Sequence, residues 1–310
     1  MVKTQMLKAY LVGLGPDNAM LRTILRLNAC VRGYQVRFCD RSIVLRRGCR
    51  EVVLSKGHYV QVPTVMGCFD QLFDAIEPEQ ARDRTVLDFS APRLHRYARS
   101  QVAFYFPAIP EEDQMEVYTS SYLPQPGDVV WDVGAHAGAT TYFLSRVVGP
   151  HGKVYAFEPD TTNYEYLKKN IELHGLRNVV PVAKALSGST GTASFNMDGT
   201  MCAGLREYAL YKVKGGSKAV PTITVEDACS ELGDVPRFVK MDIEGAEVAA
   251  IEGSLEFLKS HPVNFAIESY HRINGELTYK ALERLFSKIG YNVRSSGEFG
   301  QMFTWAAPPL

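Results

Sequence analysis

The stretch Val-Val-Trp-Asp-Val-Gly-Ala-His-Ala-Gly-Ala-Thr-Thr at residues 129–141 constrains the fold most, because an apolar run passes through a glycine turn into the start of a helix. Val129, Val130, Trp131 and Val133 suit a strand buried on both faces. Gly134 and Gly138 permit a tight turn in which backbone approaches a ligand closely. Further on, Lys-Val-Tyr-Ala-Phe-Glu-Pro reads as a second short strand that ends on Glu158 and is closed by Pro159. A carboxylate there can accept two hydrogen bonds from a ribose diol, the geometry of nucleoside-binding strand-helix-strand units.

The spacing Gly-x-x-x-Gly is not the dinucleotide pattern Gly-x-Gly-x-x-Gly, which seats a pyrophosphate on a helix N-terminus. Asp132 stands immediately before the turn, where a carboxylate repels phosphate but can hold an ammonium group. The implied ligand has a ribose, a cationic end and no phosphate, a description that S-adenosylmethionine fits. Gly134, Ala135, His136 and Gly138 are then expected to line its methionine portion. A helix from about Ala139 would offer N–H groups to the ligand carboxylate. Thr140 or Thr141 is either a further hydroxyl contact or a first-turn residue, and Asp132 has the alternative role of binding loop N–H groups.

Three ordered blocks resemble the FkbM family of S-adenosylmethionine-dependent methyltransferases: Asp-Val-Gly-Ala-His-Ala-Gly, Val-Tyr-Ala-Phe-Glu-Pro, and Phe-Val-Lys-Met-Asp-Ile-Glu-Gly-Ala-Glu at 238–247. The last block is the most specific, and the resemblance runs from about Glu111 to the C-terminus. It implies an α/β fold, a class I methyltransferase core with a Rossmann-like, doubly wound seven-stranded mixed sheet. It also implies O-methylation of a small-molecule hydroxyl, on a sugar or secondary metabolite. Many enzymes of this class place an acid after the third strand to meet the adenine amino group. Residues 183–187 contain none here, so Ala185 and Leu186 would serve through backbone and apolar contact.

The remaining composition narrows the class. Basic and acidic residues balance at 34 each, so no global field selects nucleic acid or an anionic membrane. No apolar run approaches the ~18 residues of a membrane span, and the run at 9–14 is short for a signal segment. The six cysteines, at 30, 39, 49, 68, 202 and 229, lack C-x-x-C pairing. They read as small buried hydrophobes in a reducing cytoplasm, with no zinc site.

Residues 1–110 form an N-terminal α+β extension for substrate or oligomer contacts, ahead of a methyltransferase domain at 111–310. In the extension, 8–14, 34–39, 42–45, 52–54 and 59–62 read as strands, with helices at 18–31 and 69–76. The pattern from Gly13 to Asn18, followed by Asp40, approaches a second nucleotide fingerprint but lacks its third glycine. In the core, strands are expected at 129–133, 154–157, 179–182, 238–241, 264–268, 291–295 and 302–306. Helices alternate with them at 139–148, 161–174, 225–232, 244–258 and 277–289, the signature of a parallel sheet covered on both faces. An extra strand is expected at 193–197.

Methyl transfer is an in-line displacement, so positioning supplies much of the rate. His271, at the end of the fifth strand, is the expected general base, with Glu268 as base, orienting group or substrate contact. Asp242 and Glu244 reach the same sheet edge as cofactor or substrate contacts, or alternatively cap the following helix. A metal would need further oxygen ligands, so none is expected. Tyr97, Tyr105 and Phe106 either wall the acceptor pocket or belong to a core. The rival readings are an N-methyltransferase, whose Asn/Asp-Pro-Pro-aromatic signature is absent, a nicotinamide dehydrogenase, and a non-catalytic cofactor-binding module.

Overall fold

The computed structural model describes residues 14–111, 114–196, 204–205, 217–273, 275–298 and 301–309. Contacts divide these into two compact units, one within 14–111 and one from 114 onward.

The first unit is a five-stranded sheet, in the order Gln35–Phe38, Ser42–Arg47, Arg50–Ser55, Arg84–Phe89 and Glu79–Ala81, with two helices and a separate hairpin. Asn18 caps the helix Ala19–Val31 by accepting from the Leu21 N–H at 3.0 Å, and Leu21, Leu25 and Ala29 form its buried stripe. The strand expected at 59–62 is helical instead. A 3-10 turn over Lys56–Gln61 runs into the helix Val62–Ala75, whose first turn holds Pro63. The strand expected at 8–14 lies, Leu14 apart, outside the described residues. Tyr97 and Phe106 are buried in this unit's own aromatic core, 6.1 Å apart edge to face, while Tyr105 is half-buried. The cysteines depart from expectation: Cys30 and Cys49 are exposed, Cys39 and Cys68 half-buried, and Cys229 buried.

In the second unit seven strands order as Val179–Val182, Lys153–Phe157, Val129–Val133, Phe238–Met241, Asn264–Glu268, Gln301–Ala307 and Asn292–Glu298. The first five named are parallel, and Gln301–Ala307 runs antiparallel to both its neighbours. Alternate side chains of each strand enter opposite cores. Trp131 and Val133 join Phe157, Val239 and Ile267 on one face, while Val130 joins Val154, Phe238 and Ala266 on the other. The chain order reverses between Val129–Val133 and Phe238–Met241, which opens a crevice at the strand ends where ligands bind in such sheets.

Two features depart from the pattern read along the chain. The helix expected at 244–258 is two short helices, Glu247–Glu252 and Leu255–Ser260. It starts late because Glu244 and Gly245 adopt φ values of 55° and 107°, outside the right-handed helical region. It breaks at Gly253 because backbone packs there: a Cβ on Gly253 would lie 2.4 Å from the Gly188 carbonyl oxygen. The strand expected at 193–197 is Gly191–Asn196, part of a second, four-stranded sheet with Ala185–Leu186, Ser217–Ile223 and Gly204–Leu205.

Gly253→Ala is expected to destabilise the chain by about 1–3 kcal/mol through this overpacking, although φ of −69° suits alanine. Urea unfolding reads the change, and an unchanged midpoint would mean that the two backbones part freely.

Candidate active site

In-register pairing brings the ends of three strands together: Val133 lies beside Phe157 on one side and Met241 on the other. The next residues are therefore Gly134, Glu158 and Asp242. Gly134 has φ of +81°, and a Cβ there would lie 1.8 Å from the Asp242 carbonyl oxygen, so only glycine fits. Gly134 and Ala135 donate their N–H groups to the Phe157 carbonyl at 3.0 and 2.9 Å. His136 follows in the left-handed region at φ 49°. Its N–H donates to Glu158 Oε2 at 2.8 Å, and the Asp160 N–H donates to Oε1 at 2.8 Å. Burial pushes the Glu158 carboxyl up to about 8 against the pull of those donors.

A narrow cleft opens on these groups, with about 30 Å³ of free space. Its lining joins Gly134, Glu158, Pro159 and Asp242 with the apolar side chains of Ala185, Leu186, Phe195, Leu205 and Ile243. Phe195 and Leu205 come from the second sheet and were not legible as pocket residues in the sequence. A carboxyl with spare lone pairs beside apolar side chains suits a nucleoside, with ribose at Glu158 and base against the apolar groups.

The other residues of the glycine turn play a different part. Asp132, expected to hold a ligand ammonium, is fully buried and pairs instead with Lys240 Nζ at 3.1 Å. It also accepts from the Thr141 hydroxyl at 2.6 Å, so the hydroxyl expected at the ligand is committed inside the fold. Lys240 donates to the Gly134 carbonyl at 2.8 Å. Gly138 is the N-cap of the helix Ala139–Val148. Asp132, Ala135, His136, Gly138, Thr141 and Glu244 all lie outside the lining of the described cleft. Lys240 escaped sequence reasoning, although a lysine within the apolar run Phe-Val-Lys-Met signals a buried partner.

Beside the cleft lies a cluster of carboxyl groups. Glu247 is fully buried and accepts from the Ile243 and Gly245 N–H groups at 3.0 and 3.1 Å, the loop-binding role considered for Asp132. His271 is fully buried, with Nε2 3.2 Å from Glu244 Oε2 and Nδ1 3.9 Å from Glu247 Oε1. Burial alone would lower its pKa, but the Glu244 hydrogen bond and the charges of Glu247, Glu244 and Asp242 outweigh it and raise the imidazole to about 10. These charges favour the imidazolium, which has no lone pair for a proton, whereas the general-base role expected of His271 needs the neutral ring. Glu268 is buried and accepts from the Tyr118 hydroxyl at 2.7 Å. Tyr118, 150 residues away in sequence, carried no signal. Among the described residues no group of three or more His, Cys, Asp or Glu could hold a metal ion.

The sheet order and the nucleoside cleft at its switch point define a class I methyltransferase fold. The sequence model described as the methyltransferase FkbM domain matches residues 132–293, and the chain belongs to that family, with S-adenosylmethionine as its cofactor. Hexuronic acid methyltransferase AglP of Haloferax volcanii is 32% identical over 146 residues, 46% of this chain and 56% of that protein. A protein-L-isoaspartate O-methyltransferase of Aeropyrum pernix is 44% identical over 68 residues, 22% of this chain and 26% of its own. The chain thus spans about half, or less, of these relatives. A solved FkbM methyltransferase of Methylobacillus flagellatus aligns over 93% of this chain and 59% of its own, at 14% identity and a TM-score of 0.45. No helix among the described residues is long and apolar enough to cross a membrane.

Lys240→Met would strand the Asp132 charge in the core and is expected to cost about 3–5 kcal/mol of stability. Adding Asp132→Asn should restore part of the loss in urea unfolding. A single variant as stable as the parent would show that the pair is not what holds the turn.

Proposed function

We propose that the chain transfers a methyl group from S-adenosylmethionine to a hydroxyl oxygen of a small molecule, with a sugar as the acceptor. The observation that carries this reading is the cleft itself: a buried Glu158 held by two backbone N–H groups, beside apolar side chains, at the sheet's switch point. In this reading Glu158 accepts from both ribose hydroxyls, and Leu186, Phe195 and Ile243 flank the adenine. The bound cofactor supplies a methyl carbon made electrophilic by the positive sulfur.

Two features favour oxygen over nitrogen as the acceptor atom. A neutral hydroxyl must lose a proton as the methyl arrives, and the buried carboxyl cluster beside Asp242 supplies proton-accepting groups. The Asn/Asp-Pro-Pro-aromatic motif is also missing. The sugar is suggested by AglP, a hexuronic acid methyltransferase by name. A cytoplasmic setting belongs to the same proposal, since no cysteine pairing is evident in the sequence.

Calorimetric titration with S-adenosylhomocysteine tests the cleft. Binding is expected, and Glu158→Ala should weaken it by ~2 kcal/mol, roughly thirtyfold, through loss of the two hydrogen bonds to ribose. No heat from a folded parent would reject the function, and an unchanged Kd in the variant would reject the ribose role.

A further inference from the structure

We propose that Asp242 and Glu268 hold one proton between them at neutral pH, leaving Asp242 as the carboxylate that takes the proton of the acceptor hydroxyl; this rests on the methyl-transfer reading. Parallel pairing of Met241 with Ile267, where backbones lie about 4.8 Å apart, brings Asp242, the first residue after its strand, beside Glu268, the last residue of the neighbouring one. Asp242 lines the cofactor cleft, whereas Glu268 is buried behind it. Asp242 Oδ1 is buried and has no hydrogen-bond partner among the described residues. Glu268 Oε1 is held by the Tyr118 hydroxyl.

The two neighbouring cations each have closer partners of their own. Lys240 is engaged by Asp132 and the Gly134 carbonyl, and His271 lies between Glu244 and Glu247. Two carboxyls side by side in such a place do not both ionise: one keeps its proton and the other becomes an unusually basic carboxylate. Burial raises both pKa values and Lys240 opposes it at both; at Glu268 the Asp242 charge adds to it while the Tyr118 hydrogen bond pulls the other way. Of the two, Asp242 lines the cleft and Glu268 does not, so the retained proton is assigned to Glu268, which acts as a positioning residue.

In the reaction the acceptor O–H bond breaks and its proton moves to Asp242. The electron pair left on oxygen forms the bond to the methyl carbon as the carbon–sulfur bond breaks, its pair staying on sulfur. The carboxylate and sulfonium charges disappear together, so charge balances.

Infrared spectroscopy of the whole chain without cofactor tests the shared proton. The difference spectrum between the parent and Glu268→Gln is expected to show one carboxylic acid C=O band at neutral pH that shifts in D₂O, because the raised Glu158 and Glu247 carboxyls are common to both proteins and cancel. Its titration midpoint should rise in Tyr118→Phe, which removes a donor that favours the ionised form, so mere structural damage does not mimic the pattern. Absence of that band from the difference spectrum overturns the pair.

Calorimetry reads the placement of Asp242. Asp242→Asn should cut the preference for S-adenosylmethionine over S-adenosylhomocysteine about tenfold, because the carboxylate faces the positive sulfur. An unchanged preference overturns the base role. The difference band with no binding of either compound would sink the methyl-transfer reading, and the base role with it, while the shared proton stands.

Discussion

A lysine and an aspartate buried between neighbouring strands hold the mouth of this sheet in shape. Lys240 and Asp132 face each other in the register of the two central strands. With exposures of 2% and 0%, each charge has only the other and nearby polar groups in place of water. Because Lys240 also grips the Gly134 carbonyl, the pair fixes the first residue of the turn. That position lets Gly134 pass within contact of the Asp242 backbone and lets His136 aim its N–H at Glu158. Removing either partner leaves an uncompensated charge, so the site and the stability of the core share one interaction.

The carboxyl cluster beyond Asp242 follows the same logic in a less balanced form. Asp242, Glu244, Glu247 and Glu268 crowd one edge, and Lys240 and His271 are the cations that face them. Glu244 takes a left-handed backbone conformation to reach His271, a cost of order 1–3 kcal/mol for a residue with a Cβ. Local strain and crowded charge at a ligand cleft mark a place where function overrides folding preference.

The alternation of strands and helices was readable in the core because its strands are short apolar runs closed by glycine, proline or acid. Val129–Val133 and Phe238–Met241 match those runs at both ends. The helix expected at 244–258 failed because helical periodicity says nothing about the Gly188 backbone that meets Gly253 across the fold. Glu158 could be placed at the cleft from its position before Pro159. Asp132 and Thr141 could not be placed, since their true partners are set by pairing across 108 residues to Lys240 and by a helix turn. The roles of His271, Phe195 and Tyr118 depend in the same way on what long-range packing sets beside them.

A crystal structure with S-adenosylhomocysteine bound tests the account most directly. The account predicts both ribose hydroxyls on Glu158, the adenine against Leu186 and Phe195, and the sulfur turned toward Asp242. The product seated elsewhere, or Glu158 contacting only the His136 and Asp160 N–H groups, would contradict it.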